Sequence, residues 1–522
     1  MKALDVVPLP PADPHRGVRV FSDYRGPVRD ACDVLVIGSG PGGAIVAKEL
    51  AERGKDVVLL EEGPPFGAKD MRQEAHESLR RTMREAGTRT TRGSVFMPTI
   101  QAIALGGGSL VNSAISCRAP DWALDGWAER HGLASLGGGS LDAHYTAVEQ
   151  FLGIAPTPDE VLGERNRLFK RGCDALGWSS EPTPRNVRQC KGSAECFTGC
   201  RNGAKQSTDV SYVPAAIRAG ARVYTSVRAE HLTGDTRRVD GVRGHVVEPF
   251  TGRASHEARF DAKCVVLAAG CMQTPVIVQR SGIGNRSGQV GNHLHAHPGL
   301  TIMGIYPHRV EPWQGATQGF HSLEFLREGM KLEVLWGPPA LLAMRFPGFG
   351  LEFKEHLLAY DRMASFDVFV AAHRSTGRVR APLFGWNPRI DFEIHPEDMA
   401  LLQKGLCRLV ELSFAAGAER VLPGIHGVPD VLTPATGVGP LANAKVAPRD
   451  TTVGATHLFG TTRMGTDPRT SVTDAWGKFH EVDNLYAADT GLFPDSTAVN
   501  PMLTCMALAH RIAGGIADRS LG

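Results

Sequence analysis

The fold is decided by the six residues at positions 38–43, Gly-Ser-Gly-Pro-Gly-Gly. The apolar run Val-Leu-Val-Ile at 34–37 precedes them and a helix-forming stretch at 44–53 follows, so the sequence predicts a strand, a tight turn and a helix. Gly38 permits the turn, Gly40 lets backbone N–H groups approach a pyrophosphate, and Gly43 lets the helix pack closely on the strand. This spacing predicts a dinucleotide-binding turn with the helix N-terminus facing the phosphates.

A carboxylate follows the second predicted strand. The apolar run at 57–60 ends at Glu61. In this position a carboxylate can accept hydrogen bonds from ribose hydroxyls, so Glu61 predicts an unphosphorylated adenosine ribose. The order of strand, turn, helix and acid favours a nucleotide site over a chance glycine-rich loop.

The composition is that of a large globular protein. The chain has 522 residues, 42% of them hydrophobic, and a net charge of +2, and this length predicts two or more structural units. No run rich in Lys and Arg is present, so nucleic-acid binding is not expected. Residues 1–26 are polar and proline-rich, which predicts neither a secretory signal nor a membrane span, and hence a cytoplasmic location. Ten mostly isolated cysteines fit reduced thiols better than a disulfide framework.

The rest of the sequence alternates between two kinds of segment. Residues 222–228 and 264–270 are predicted to be short buried strands beside the first strand. Residues 300–450 instead alternate apolar and polar side chains, which predicts an antiparallel sheet with one solvated or ligand-facing side. A helix from Pro396 to Ala416 is expected to cover that sheet. We therefore predict an α/β fold, α+β overall, with a discontinuous Rossmann-like domain and a substrate domain.

Several motifs occur together in an order that resembles the glucose–methanol–choline (GMC) oxidoreductases, flavoproteins that oxidise alcohols with FAD. Besides the turn and Glu61, they are the segments 106–112, 269–284, 290–298 and 457–504. The resemblance implies FAD as cofactor, a small-molecule alcohol as substrate, and dioxygen or another electron acceptor. The domains it implies are an extension at 1–30, a FAD-binding domain made of 31–155, 205–300 and 450–522, and a substrate-binding domain made of 156–204 and 301–449.

Two polar residues are candidate catalytic groups. His457 begins the stretch His-Leu-Phe-Gly-Thr-Thr-Arg-Met-Gly and Asn500 begins Asn-Pro-Met-Leu-Thr, and both stretches resemble the segments that carry the family's catalytic residues. Hydride leaves an alcohol carbon more easily as the hydroxyl loses its proton, so a neutral imidazole at His457 is suited to be the general base. The amide of Asn500 cannot take that proton but can donate to the alcohol oxygen. The alternative for His457 is a hydrogen-bonded structural histidine.

Further residues are assigned to the cofactor by the resemblance. Pro501 is expected at the first position of a helix whose positive end faces the flavin, and Asp489 is expected near the ribityl–pyrophosphate linkage. The predicted cofactor-binding residues are Gly38, Gly40, Gly43, Glu61, Gly107, Ser109, Asn112, Val227, Asp489 and Pro501. Some family members attach FAD covalently through a histidine just before Asn112. Here that position is Val111, which predicts non-covalent FAD.

Three histidines at alternate positions, His293, His295 and His297, raise the question of a metal site. They would share one face only in an extended segment, and family members use the stretch matching His297-Pro298 structurally. No metal is predicted there.

Three cysteines, Cys190, Cys196 and Cys200, raise the same question. Their spacing lacks the paired cysteines of zinc ribbons, and three thiolates leave a tetrahedral zinc one ligand short. The stretch from Cys200 to Thr208 is similar to a segment of the family's long-chain alcohol oxidases and, more loosely, to the cysteine stretch of iron–sulfur sugar dehydrogenases. A thiol cluster without metal is favoured, and an iron–sulfur site is the alternative.

The sequence thus predicts FAD-dependent oxidation of an alcohol to an aldehyde or ketone. The segment around Cys200 favours a primary alcohol, either a long-chain alcohol or the hydroxymethyl group of a sugar-like metabolite such as an aminoglycoside. A hydroxynitrile-lyase-type reaction on the same fold is a second enzyme class. A flavin-binding protein without turnover is a third possibility, but it would gain nothing from keeping both His457 and Asn500.

Overall fold

The central strand of the protein, Val28–Ile37, leads directly into the glycine turn. In the computed structural model, which describes residues 15–72, 74–337 and 339–519, its last four residues are buried. They pair in parallel with Val57–Leu60 on one side and with the end of Ala254–Leu267 on the other. A continuous apolar run is typical of a parallel strand covered on both faces. The glycine turn therefore begins at the end of a strand in the middle of the sheet.

This sheet, called here the nucleotide sheet, draws eight strands of the described residues from distant parts of the chain. From one edge the strands are Val18–Arg19, Arg222–Tyr224, Val57–Leu60, Val28–Ile37, Ala254–Leu267, Val239–Val247 and Val227–Gly234, with Leu485–Ala487 beside the end of Ala254–Leu267. Neighbours are parallel except in the hairpins formed by Val227–Gly234, Val239–Val247 and Ala254–Leu267. The predicted discontinuous Rossmann-like architecture is confirmed.

Two details of the sheet differ from the sequence-based expectation. Residues 222–228 form two strands rather than one, because the chain turns at Ser226, whose φ is 59°, and continues at the opposite edge of the sheet. The predicted extension at 1–30 contributes Val18–Arg19 and the start of the central strand to the sheet. Its residues 1–14 lie outside the described part of the chain, and the domain boundaries themselves stay a prediction.

Helices cover the nucleotide sheet and the second sheet. Helix Pro41–Glu52 follows the glycine turn and packs against Met502–Arg519 and Tyr212–Arg218. The remaining α-helices of the described residues are Ala75–Thr82, Gly108–Val111, Asp121–His131, Asp142–Leu152, Glu164–Leu176, Thr274–Ser281, Pro339–Leu342, Leu351–Leu358, Pro396–Ala415 and Gly439–Ala442. In the part of the chain that the structure describes, no helix has the length and apolar character that crossing a bilayer requires.

The second large sheet is antiparallel throughout. Its strands are, in spatial order, Arg420–Leu422, Gly299–Ile305, Met363–Val370, Met330–Leu335, Phe320–Ser322 and Glu181–Pro182. Helix Pro396–Ala415 packs on one face, as predicted. The strand Arg389–Glu393, predicted for this sheet, instead joins Thr376–Arg380 and Arg92–Gly93 in a separate small sheet. The other face of the antiparallel sheet is turned to a cavity of about 800 Å³, which residues of the nucleotide sheet also line.

Candidate active site

The glycine turn is packed tightly between two strand ends. Gly38 has a φ of 105°, and a Cβ on it would lie 2.2 Å from the carbonyl oxygen of Ala268. A Cβ on Gly42 would lie 1.6 Å from the carbonyl oxygen of Ala488, and one on Gly43 would lie 1.9 Å from that of Gly38. The motif spacing had predicted this close packing for Gly43 alone. Gly42 shares that role and makes the closer contact.

The second glycine-rich loop meets the turn at the cavity. The nearest heavy atom to a Cβ on Gly40 would be the Cα of Gly107, at 3.9 Å, and both glycines line the cavity. They leave a space bounded by backbone of the kind that a pyrophosphate needs. Ser109 does not line the cavity, since its Oγ donates to Gly106 O at 2.6 Å and accepts from Thr208 N at 3.0 Å. Its side chain holds the loop rather than facing a ligand.

Glu61 reaches the cavity from the end of the neighbouring strand. Its Oε2 accepts from the N–H and hydroxyl of Ser39 at 3.1 and 2.6 Å, and its Oε1 accepts from Gly63 N at 2.8 Å. Burial raises the pKa of Glu61, and these hydrogen bonds oppose the rise. A carboxylate has about four lone-pair positions, so three donors leave one acceptor position for a ribose hydroxyl. Val227, whose N–H donates to Glu61 O at 2.9 Å, lines the cavity beside it.

The other predicted cofactor residues line the same cavity at the second glycine-rich loop and the last helix. Asn112 directs its Nδ2 to Met502 Sδ at 2.9 Å, and Pro501 precedes the first residue of helix Met502–Arg519.

Asp489, the remaining predicted cofactor residue at the cavity, is buried, and burial raises the pKa of its carboxyl. Its donors are Thr274 Oγ1 at 2.6 Å, Gly491 N at 2.7 Å and Gly270 N at 3.0 Å.

These groups suit an elongated dinucleotide. The cavity is lined by Gly40, by the carboxyl-bearing residues Glu61 and Asp489, and by the N-terminus of the last helix. A helix N-terminus favours negative charge, and the glycine positions leave room for phosphates. FAD bound here would supply the hydride acceptor for an oxidation.

His457 and Asn500 lie together at the wall of this cavity. Although 43 residues separate them, His457 Nε2 is 3.4 Å from Asn500 Nδ2. Burial lowers the pKa of His457 to about 4, with Lys331 adding to the effect and Glu333 opposing it. The imidazole is therefore neutral at pH 7 and free to accept a proton.

A second histidine touches the candidate base. The strands His295–Ala296 and Leu458–Phe459 pair antiparallel, which brings His297 beside His457. Their Nδ1 atoms are 3.3 Å apart, and His297 Nε2 is 2.6 Å from Ser496 Oγ. The family resemblance implied a structural role for His297, but no pattern in the sequence indicated its contact with His457.

The three alternating histidines do not converge on one point. His293 Nε2 is 2.7 Å from Gln289 Oε1, whereas His297 faces His457 and Ser496. Among the described residues, no three His, Cys, Asp or Glu side chains are grouped in a way that would hold a metal ion.

Charged residues of the antiparallel sheet, which sequence reasoning missed, complete the site. Lys331 Nζ lies 2.5 Å from Asn500 Oδ1 and 2.5 Å from Glu333 Oε1. Asp367, paired across the sheet with Glu333, lines the cavity. A signal was present, since Lys331 and Glu333 alternate with apolar residues in a strand that is otherwise apolar.

The cysteine cluster lies in a separate, much smaller cavity. Cys190, Cys196 and Cys200 line it together with the buried cations Arg185 and Lys205. Burial alone would raise the pKa of Cys196, but Arg185, whose Nη2 is 3.1 Å from the sulfur, and Lys205 lower it. Every cysteine within the described ranges is a free thiol.

The sheet, turn and cavity define a dinucleotide-binding oxidoreductase, and comparison with known proteins agrees. Residues 31–87 match the model of a FAD-binding domain. Residues 79–299 and 374–509 match the two models of the GMC oxidoreductases. The chain belongs to the GMC oxidoreductase family, and it is a FAD-dependent oxidoreductase that acts on CH–OH donors.

The chain aligns with its relatives over almost its whole length. The uncharacterised GMC-type oxidoreductase Rv0492c of Mycobacterium tuberculosis is 32% identical, over 98% of this chain and 80% of that protein. Paromamine 6'-oxidase of Streptomyces fradiae is 27% identical, over 93% of this chain and 91% of that protein. Long-chain-alcohol oxidase FAO3 of Arabidopsis thaliana is 26% identical, over 96% of this chain and 70% of that protein.

A solved structure shares the fold. The crystal structure of pyridoxine 4-oxidase from Mesorbium loti superimposes with a TM-score of 0.70 over 94% of this chain and 99% of that chain, at 19% sequence identity. This likeness extends to both sheets because it covers nearly the entire chain.

Proposed function

We propose that the protein oxidises the primary alcohol of a hydroxylated, amine-bearing metabolite, such as an amino sugar, to the aldehyde. The observation that carries the proposal is the pair of His457 and Asn500, 3.4 Å apart at the cavity wall with the imidazole neutral at pH 7. A neutral imidazole and an amide donor are the two groups that an alcohol oxygen needs as its proton leaves.

The residues divide the work on the alcohol as follows. The hydroxyl proton passes to Nε2 of His457, and an Nδ2–H of Asn500 donates to the oxygen on which negative charge develops. FAD bound in the cavity would supply the acceptor for the hydride of the alcohol carbon, so that the substrate would lose two electrons and two hydrogens in all. Phe369, whose ring packs edge-on at 5.2 Å from that of His457, helps to hold the imidazole in place.

The antiparallel sheet next to this pair offers polar groups to a substrate. Asp367 and Thr301 of that sheet line the cavity, and so does Gln318, which precedes the strand Phe320–Ser322. Asp367 Oδ1 is buried and has no hydrogen-bond partner among the described residues. Burial, and then the charge of Glu333, raise the pKa of Asp367 well above its ordinary value. A substrate ammonium or hydroxyl group would satisfy this carboxyl, whereas an alkyl chain would leave it unpaired.

The relatives support both of the substrate classes that the sequence left open. One is a paromamine 6'-oxidase and others are long-chain-alcohol oxidases, at similar identity. The unpartnered carboxyl of Asp367 favours the first class.

Anaerobic mixing tests the proposal. The FAD-loaded protein is mixed with paromamine, with glucose and with 1-dodecanol, and bleaching of the flavin absorbance is followed. We expect paromamine to reduce the flavin fastest, and Asp367→Asn to weaken its binding more than that of glucose. If 1-dodecanol reduced the flavin fastest, the proposed class of amine-bearing substrates would be wrong. If none of the three compounds reduced the flavin, the assignment to alcohol oxidation itself would fail. If the protein instead cleaved a cyanohydrin without bleaching the flavin, a lyase reaction would be indicated.

A further inference from the structure

Lys331 is a buried cation at the back of the catalytic pair. Its side chain is 0% exposed, and its Nζ lies 2.5 Å from both Glu333 Oε1 and Asn500 Oδ1. Burial alone would lower the pKa of Lys331, but Cys117 and Glu333 raise it above its ordinary value, so the ammonium stays charged. Glu333 is satisfied on its other oxygen by Gln318 Nε2 at 2.8 Å.

The ammonium determines which way the amide of Asn500 points. An ammonium has donors only, so the amide atom facing Lys331 is the oxygen and the NH₂ group faces His457 Nε2. The NH₂ group in turn has donors only. His457 Nε2 must therefore be the unprotonated ring nitrogen, and the ring proton is on Nδ1.

The hydrogen bonds on the other side of the His457 ring agree with a proton on its Nδ1. His457 Nδ1–H can donate to His297 Nδ1 at 3.3 Å, which leaves the proton of His297 on Nε2 to donate to Ser496 Oγ at 2.6 Å. The opposite direction would place an Nε2–H of His457 against the NH₂ group of Asn500. That arrangement is excluded as long as Lys331 holds the amide oxygen.

We propose that Lys331 is a positioning residue which, through Asn500, holds His457 in the tautomer whose unprotonated Nε2 faces the cavity. The value of this tautomer for catalysis rests on the proposed function, since Nε2 is the atom that would take the substrate proton. The tautomer itself is a property of the protein without substrate. The charged and titratable groups facing His457 are Lys331, Glu333 and His297.

The first test reads the tautomer directly by ¹⁵N NMR of histidine-labelled, FAD-loaded protein at pH 7, with the His457 signals assigned from the spectrum of His457→Gln. We expect an Nδ1–H tautomer in the wild type and a shift towards Nε2–H in Lys331→Met. Because that variant leaves Glu333 as an unpaired buried carboxylate, Lys331→Met/Glu333→Gln repeats the test without the buried charge.

The matched control is Lys205→Met, which removes another buried lysine, one that donates to the carbonyl oxygens of Leu110 and Asn112. It should leave the His457 tautomer unchanged. An Nε2–H tautomer in the wild type would overturn the proposal even if no variant folds. So would an unchanged tautomer in Lys331→Met/Glu333→Gln.

The second test is a double-mutant cycle on the rate of flavin reduction per bound FAD, with the best alcohol of the panel. Misplacement of a catalytic group costs about a hundredfold, so we expect Lys331→Met/Glu333→Gln to lower the rate by about that factor. In the Asn500→Ala background the same change should cost less than about threefold, because the route through Asn500 is already lost. Equal losses in both backgrounds would contradict the proposal. Failure of every alcohol would count against the proposed function only, since the NMR test needs no substrate.

Discussion

At the scale of single residues, burial in the cavity shifts the pKa values of two groups in opposite directions. It lowers the pKa of His457 to about 4, so the imidazole is neutral at pH 7, and it raises the pKa of Asp367 well above its ordinary value. A neutral imidazole can take a proton, and the buried, unpartnered carboxyl of Asp367 would be satisfied by a polar substrate group. The same low-polarity surroundings thus favour a separate role for each residue towards the substrate.

Removing the candidate base should slow the chemistry and leave the cofactor in place. Loss of a general base typically costs about 10²–10⁴-fold in rate, so His457→Ala should reduce flavin reduction by that factor at full FAD occupancy. Asn500→Ala should also be impaired, while Asn500→His, which keeps a hydrogen-bond donor beside His457, should retain part of the activity. Flavin reduction at the wild-type rate in His457→Ala would refute the assignment, and loss of FAD or of folded protein would indicate a structural histidine.

The pH profile should reflect the lowered pKa of His457. A base must be unprotonated to act, so kcat/KM should stay level as the pH falls from 8 through 6.5 and decline only as it approaches about 4. The measurement is kcat/KM for the reducing alcohol between pH 4 and 8, with FAD content checked at each point. An acidic limb centred near the ordinary histidine value of about 6.5 would show that burial does not control the base.

At the scale of elements, the residues that the sequence revealed are those whose role is local. Gly38 and Gly40 belong to a single turn, and their spacing between a predicted strand and a predicted helix, with Glu61 after the next strand, identified it. Lys331 and Asp367 enter the site through cross-strand pairing between segments far apart in the chain, and no local pattern specifies which strands become neighbours. The break at Ser226 was missed for a related reason, because a left-handed backbone at serine leaves no sequence signal.

Two glycines of the turn should respond differently to the same substitution. Gly42→Ala places a Cβ 1.6 Å from the carbonyl oxygen of Ala488, so we expect a large loss of folded protein. Gly40→Ala meets no atom closer than 3.9 Å, so the protein should fold but bind FAD weakly, because the methyl group occupies the space for phosphate. Thermal unfolding and FAD content of both variants provide the measurement. Equal melting temperatures for the two variants would contradict the expectation that Gly42→Ala impairs folding whereas Gly40→Ala impairs only FAD binding.

The helix Gly108–Val111 bears on how the cofactor is held. Val111 lines the cavity at the position where some family members attach FAD, and its side chain has no nucleophilic nitrogen. Heat denaturation should therefore release FAD into the supernatant, where its absorbance spectrum identifies it. Yellow colour that stays with the precipitate would show a covalent bond at another residue.

The loop that carries Cys190, Cys196 and Cys200 should contain no metal. Its two buried cations, Arg185 and Lys205, already offset negative charge on the thiol of Cys196. Elemental analysis and acid-labile sulfide assays of anaerobically purified protein should find neither iron nor zinc in stoichiometric amount. Stoichiometric iron and sulfide would establish the iron–sulfur alternative.

At the scale of the whole molecule, the candidate active site lies between two sheets, each built from segments that are distant in the sequence. The nucleotide sheet supplies the turn and Glu61, the antiparallel sheet supplies Lys331 and Asp367, and the last helix begins beside Asn500. The sequence predicted both sheets and named His457 and Asn500, which the structure brings together, as a candidate catalytic pair. It did not predict that the two sheets would face each other across one cavity, because that arrangement depends on packing between entire layers.

The position of the strand Leu485–Ala487 late in the sequence has a consequence for folding during synthesis on the ribosome. Its partner, the end of Ala254–Leu267, is synthesised more than two hundred residues earlier and keeps an open strand edge until the last segment emerges. Helix Pro41–Glu52 likewise has one face uncovered until helix Met502–Arg519 has been synthesised and can pack against it. A nascent chain that lacks its final segment exposes both an unpaired edge and an apolar helix face, which are the surfaces that chaperones bind and that drive aggregation.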